Sequence, residues 1–395
     1  MVSEAMLELG RKRSVIREIF EYGNKRRAEI GAENVFDFSL GNPSVPAPEI
    51  VTQTLQKLIE ETPAAALHAY TSAPGDPGVR TAIAQYIKDT HEFEVAASNI
   101  YMTVGAAASL TIALTALTEE DDEVIALAPF FPEYRVFAEK AGAKFVAVNS
   151  RAGDFQVDAD ALATAVNPHT KAVIVNSPNN PTGAVLTEES VKALATVLND
   201  KAAEYGHPIY LIADEPYREL VYDNTPVPYL PLYYQNTIVC YSFSKSLSLP
   251  GERIGYILVS PDAQGADMVY DAVCGAGRAL GYVCAPSLFQ RLVAACLGKT
   301  ADVAVYDRNR RILYDALTDY GFEAVYPDGA FYLFVKSPVA DAAAFCEKAK
   351  EFELLLVPGD DFGCPGYIRI AYCVTTEQIN RSLPAFERLA KAYQL

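Results

Sequence analysis

Short apolar runs alternate with longer amphipathic stretches through the middle of the chain. IYMTVG is followed by an alanine-rich helical run from Ala106 to Leu117, and EVIALA (Glu123–Ala128) then reads as a buried strand. A helix is expected over 132–142, a strand at KFVAV, and a further strand in KAVIVNSPNNPTG that ends in a polar turn. Residues 188–204 read as a helix, IYLIADEPY as a strand with acids at its end, and TIVCYSFSKS and RIGYILV as two more apolar runs. Short apolar strands separated by long helices predict a mostly parallel sheet covered on both faces.

Beyond Tyr282 the pattern changes. Helices are expected near 285–298 and 302–320, strands at GAFYLFVK and GYIRIAYC, and a last helix over 376–392. This is the pattern of a second, smaller α+β domain. The expected division is a large domain at 46–284, a small one at 285–395, and an N-terminal segment, 1–45, outside the sheet pattern, counted with the small domain as a lid. That segment, with its FDFSLGNPSVPAP stretch, could pack on either domain.

A length of 395 residues suits this two-domain reading. The net charge of -17 disfavours nucleic acid and anionic membrane as partners, and requires any anionic substrate to find local cations or amide donors. The first twenty residues lack the apolar core of a secretory signal, and no run is long and apolar enough to span a membrane. Seven scattered cysteines with no CxxC pair fit a reduced, cytoplasmic setting, and buried structural thiols are their plainest reading. None of the four histidines is spaced to share a metal with another, so no bound metal is expected.

In an open parallel sheet, ligands gather at the carboxyl ends of the strands. Here one strand ends at Asn176 and runs on through Asn179, Asn180, Pro181, Thr182 and Gly183. The next ends in Asp214, followed by Glu215, Pro216 and Tyr217. A third ends in Ser242, Ser244 and Lys245, with Arg253 after a Pro-Gly turn. Each alone has a plain explanation, such as a turn former, a helix cap or half of an ion pair. Together they bring an acid, an amide, a phenol, two hydroxyls, a lysine and an arginine to one rim.

The segments NNPTG, DEPY, SFSKSLSLPGERIGY and YIRIAY resemble those of the fold-type I pyridoxal-phosphate (PLP) aminotransferases, class I/II. The resemblance runs from Phe36 to Tyr372, and the S-x-S-K-x-x-x-x-x-G-x-R-x-G pattern at 242–255 is its most specific part. It implies a PLP-dependent transferase fold with a mostly parallel seven-stranded sheet, PLP as cofactor, and a homodimer.

The resemblance also implies roles. Lys245 would hold the cofactor's aldehyde and later shuttle the proton between the substrate α-carbon and the cofactor. Asp214 would pair with the pyridine nitrogen and keep it protonated. Tyr217 would donate to the ring 3-oxygen, its alternative being a core aromatic, and Asn180 would reach the same oxygen or the substrate carboxylate. The phosphate would rest on backbone groups of Gly105, Ala106 and Ala107 at a helix N-terminus, with Ser242, Ser244 and Arg253. The alanines at 106 and 107 lack the polar side chains that some relatives place in that loop. Tyr70 would cross the dimer interface to the neighbouring phosphate. Phe131 would stack on the ring, while Phe130 and Tyr134 read as packing groups.

Arg369 would clamp the substrate α-carboxylate, pointing opposite to Ile368 and Ile370, and Gly41 would close over that carboxylate through its backbone. A dicarboxylate such as aspartate needs a second cation. Arg278 is the candidate, and an interface or surface arginine is the competing reading. Otherwise Phe130, Tyr282 and Phe362 could line a pocket for apolar side chains, and an Asp360 facing the pocket would disfavour acidic substrates. The expected reaction is transfer of an amino group between an L-amino acid and a 2-oxo acid, within amino acid metabolism. The alternatives are a carbon–sulfur β-lyase on the same cradle and, more distantly, a non-catalytic PLP-binding regulator.

Overall fold

The computed structural model describes residues 2–11 and 14–395. Seven strands form the central sheet: β1 (Ile100–Thr103), β2 (Glu123–Ala128), β3 (Lys144–Asn149), β4 (Thr170–Asn176), β5 (Tyr210–Asp214), β6 (Thr237–Ser242) and β7 (Gly255–Val259). Their order is β1-β7-β6-β5-β4-β2-β3. All neighbours run parallel except β7, which is antiparallel to both β1 and β6. The fold is the expected α/β one.

The strands are apolar throughout because both faces are covered. Ile174, Ile212 and Ile238 pack in one core with Leu110, Ile112 and Val273 of the covering helices. Their chain neighbours Val173, Leu211 and Val239 point the other way, into a core with Ile83, Leu194 and Leu198. The helix Ala106–Leu117 was recognisable as a helix from its alanine-rich run, and it is buried along most of its length.

A second sheet contains Val357–Pro358, Tyr367–Ala371, Tyr332–Lys336 and Ala324–Val325, in that spatial order and antiparallel throughout. Helices Val303–Asp319 and Thr376–Ala392 bury Leu313, Leu317, Phe386 and Leu389 in its core. The N-terminal segment packs on this side. Phe36–Asp37 pairs in parallel with Leu354–Leu355, and Ile19 of helix Val15–Ile30 joins Leu355, Val357 and Phe362 in a small cluster.

Helix Ser287–Ala295 belongs to the large-sheet core, where Leu292 and Val293 are fully buried. The packing of that core thus extends past residue 284. Among the described residues, no helix is long and apolar enough to cross a membrane. Leu292→Ala should cost about 2–5 kcal/mol, read as a lowered midpoint of chemical denaturation. An unchanged midpoint would place that helix outside the core.

Candidate active site

Register places the polar strand ends side by side: Asn176 pairs with Asp214, and Asp214 with Cys240 two residues before Ser242. Asn176 ties two of these ends together. Its Nδ2 donates to the Asp214 carbonyl at 2.8 Å, and its Oδ1 accepts from the Asn180 N–H at 2.7 Å.

Asp214 is only 5 % exposed. Its Oδ2 accepts a 2.5 Å hydrogen bond from the Tyr134 hydroxyl, whereas its Oδ1 is buried with no partner among the described residues. Burial pushes the carboxyl from 3.8 up to about 7, against the Tyr134 hydrogen bond, and Glu215 adds to the rise. A buried carboxylate oxygen with no donor is costly, so this position suits a cationic N–H arriving from a ligand.

Lys245 sits in the single helical turn Phe243–Ser246, which Ser242 caps. Its Nζ donates to the Gly41 carbonyl at 2.7 Å. Burial lowers its pKa from 10.5 to about 8, and Arg253 and Arg369 lower it further while Cys373 opposes them. A lysine so placed is partly neutral near physiological pH and can act as a nucleophile or base.

Beside it lies an anion cradle. Gly105, at φ 94°, precedes the free N–H groups of helix Ala106–Leu117. A side chain there would sit 2.7 Å from the Arg253 Nη2, so glycine is what lets the guanidinium reach the helix end. Arg253 Nη1 donates to the Pro250 carbonyl at 2.9 Å and approaches Ser244 Oγ at 3.4 Å, and the Ser242 and Ser244 hydroxyls are 2.7 Å apart. Amides, two hydroxyls and a cation meet here, which is the donor set a phosphate needs.

Across the rim, Arg369 is 2 % exposed. It donates from Nη1 to Asn180 Oδ1 at 3.0 Å and from Nη2 to the Ser39 carbonyl at 2.5 Å, while its Nε is buried with no partner among the described residues. The rings of Tyr332 and Phe362 lie 4.8 and 4.9 Å from the guanidinium. The Tyr217 and Tyr332 hydroxyls are 2.9 Å apart, and burial raises both phenols. A side chain at Gly41 would meet the Tyr332 hydroxyl at 1.9 Å, so only glycine fits there.

The structure therefore brings together Asp214, Lys245, Ser242, Ser244, Arg253, Gly105, Asn180, Tyr217, Arg369 and Gly41. Phe131 is half-buried and packs edge-on against Tyr134 at 5.7 Å. Tyr70 is 95 % exposed, and Arg278 is exposed at the end of helix Ala266–Ala279, so one chain alone carries neither into the cluster.

Some expectations need correcting. Tyr134 is not merely a packing group, because its hydroxyl holds Asp214. Phe130 and Phe362 lie together, the Phe130 N–H donating to the Phe362 carbonyl at 3.0 Å, whereas Tyr282 is exposed. Asp360 is exposed and presents no carboxylate to the site. Sequence reasoning missed Tyr134, Tyr332 and Ser39. Only Tyr134 had a signal, since it follows a strand end by a few residues.

An open α/β sheet with a lysine of lowered pKa, a buried unpartnered carboxylate oxygen and an anion cradle on one rim forms a candidate catalytic site for an anionic ligand. The sequence model of the family described as aminotransferase class I and II matches residues 33–386, and the chain belongs to that family. It is 55 % identical to an amino transferase of Eubacterium rectale, whose crystal structure superposes with a TM-score of 0.98 over 100 % of both chains. It is 29 % identical to an aspartate aminotransferase of Pyrococcus horikoshii, over 97 % of this chain and 95 % of that protein. An aromatic-amino-acid aminotransferase of Thermococcus litoralis is 28 % identical over 97 % of each chain. The chain is an aminotransferase (EC 2.6.1.-), and these likenesses lend no support to the β-lyase or regulator readings. Class I and II aminotransferases use PLP.

The raised Asp214 pKa has a consequence for the cofactor-free protein. The folded chain binds this proton more tightly than the unfolded one, so stability is lost as pH rises from about 4 to about 7. Asp214→Asn removes that loss. The stability gap between D214N and the wild type, both free of cofactor, should widen in D214N's favour by on the order of 4 kcal/mol across this interval. A gap independent of pH would mean that Asp214 titrates normally.

Proposed function

We propose that this aminotransferase holds PLP on the rim described above and moves an amino group between an L-amino acid and a 2-oxo acid. The observation that carries the reading is the pairing of an unpartnered, buried Asp214 oxygen with a lysine whose pKa burial has lowered, both on one rim. When bound, the cofactor supplies a protonated ring that stabilises negative charge at the substrate α-carbon.

Each residue then has a task. Asp214 Oδ1 would accept the ring N–H, with Tyr134 fixing the carboxylate for it. Amides of Gly105, Ala106 and Ala107, the hydroxyls of Ser242 and Ser244, and Arg253 hold the phosphate. Phe131 covers one face of the ring. Tyr217 and Asn180 address the ring oxygen. Lys245 would hold the aldehyde carbon, and its Nζ, when free, would serve as the base for the proton of the substrate α-carbon. Arg369 binds the α-carboxylate, with the Gly41 backbone closing over it.

Tyr70 and Arg278 act across a homodimer interface in this reading. Tyr70 reaches the neighbouring phosphate and Arg278 the side-chain carboxylate of a substrate such as aspartate. Their exposure, with no side-chain bond to another described residue, is what supports this. Relatives of similar identity are named for aspartate and for aromatic substrates, so identity alone does not choose between them. Residues 1–45 act as a lid that belongs with a small unit at 285–395, over a large unit at 46–284, except that helix Ser287–Ala295 packs with the large unit. The setting is the reduced cytoplasm.

Purified protein loaded with PLP should show a cofactor absorbance band that an amino acid converts and a 2-oxo acid restores. Lys245→Ala should abolish the lysine-bound band and lower turnover by more than about 100-fold. The amino donor that converts the band fastest identifies the substrate class. A K245A protein with an unaltered band would refute the assignment.

A further inference from the structure

Arg369 does not hold its place alone. Its Nη2 donates to the Ser39 carbonyl at 2.5 Å, and Ser39 is fully buried. Ser39 in turn is fixed by Asp37, whose Oδ1 accepts from the Ser39 N–H at 2.9 Å and from the Ser39 hydroxyl at 2.6 Å. The other oxygen, Asp37 Oδ2, accepts from Arg27 Nη2 at 2.6 Å. Arg27 stands on helix Val15–Ile30, where its Nη1 also donates to Asn24 at 3.0 Å. An unbroken chain of charge-assisted bonds thus runs from a helix outside the active site to the guanidinium on its rim.

The surrounding backbone leaves this chain little freedom. The Phe38 N–H donates to the Leu355 carbonyl and the Phe38 carbonyl accepts from the Ala371 N–H, both at 3.0 Å. Segment 37–39 is therefore held between strand Leu354–Leu355 and strand Tyr367–Ala371 of the small sheet. Gly23 allows the helix to approach so closely: a side chain there would sit 2.8 Å from Leu355 Cδ1 and 3.2 Å from Asp37 Oδ2. The same helix also backs the other side of the guanidinium, because Ile19 packs in one cluster with Phe362, whose ring lies 4.9 Å from Arg369.

We propose that Asp37 and Arg27 are positioning residues for substrate binding, setting the orientation of Arg369 through the Ser39 carbonyl. The inference rests on Arg369 being the carboxylate clamp. Neither residue touches substrate. Asp37 fixes the carbonyl that occupies one Nη2 hydrogen of Arg369, and so selects which edge of the guanidinium is offered to an incoming carboxylate. Arg27 neutralises Asp37 and fixes its rotamer, because an unpaired carboxylate only a few per cent exposed would otherwise turn toward water. A small error in the placement of such a clamp is felt as a large loss in substrate binding.

The test is steady-state kinetics of PLP-loaded Asp37→Asn, Arg27→Gln, Arg27→Lys and, as a control on the clamp, Arg369→Gln. D37N and R27Q should each raise KM for both the amino donor and the 2-oxo acceptor by on the order of tenfold, with the change carried by KM rather than kcat. R27K should recover most of that loss, because it returns a cation to Asp37. An amine lacking the α-carboxylate should react equally well with the wild type and D37N. The inference is overturned if R369Q raises KM while D37N and R27Q do not. It is equally overturned if D37N slows the carboxylate-free amine as much as the amino acid, since the residue would then serve only folding. An R369Q protein with an unchanged KM would instead refute the clamp reading itself. Should D37N fail to fold, R27Q and R27K carry the comparison alone.

Discussion

A carboxylate buried at the end of a central strand is the constraint around which this rim is built. Asp214 is surrounded by apolar strands, and burial alone would leave it protonated over much of the neutral range. Tyr134 gives one oxygen a donor, and the other has none. Protonation relieves that cost in the free chain, and a ligand that brings a cationic N–H would relieve it for the ionised carboxylate. Asn176 then fixes the carbonyl of the same residue and the start of the Asn180 turn, so the acid and the amide that contacts Arg369 are placed by one side chain.

The cations follow a matching logic. Lys245, Arg253 and Arg369 converge at close quarters, and their mutual repulsion adds to burial in lowering the lysine pKa. Each guanidinium is held by neutral acceptors, Arg253 by the Pro250 carbonyl and Arg369 by the Ser39 carbonyl and Asn180. Neither is neutralised by a carboxylate within the cluster, so both keep their full charge for anionic ligands. This answers the difficulty posed by a net charge of -17: substrate anions find a local cationic site on an otherwise acidic protein.

Much of this was legible in the residues. The strand Glu123–Ala128 and the helices Ala106–Leu117 and Thr376–Ala392 fall where their periodicity places them. Asp214, Lys245 and Arg253 stand at strand ends, where chemistry collects in such a sheet. Other features were hidden for physical reasons. Phe36–Asp37 is a two-residue strand, too short to show any alternation, and its partner lies more than three hundred positions away. Tyr134 and Tyr332 look like core aromatics because their role depends on where the hydroxyl ends, which the fold alone decides. The Arg27–Asp37–Ser39–Arg369 chain joins distant segments whose residue types are unremarkable one by one.

The central claim is that Asp214 holds a protonated ring nitrogen. It is tested most directly by nitrogen NMR of PLP labelled at the ring nitrogen and bound to the protein, followed across the neutral pH range. The account predicts a nitrogen that stays protonated throughout that range in the wild type and loses its proton in D214N. A nitrogen that titrates in the wild type as it does in free cofactor would contradict the account.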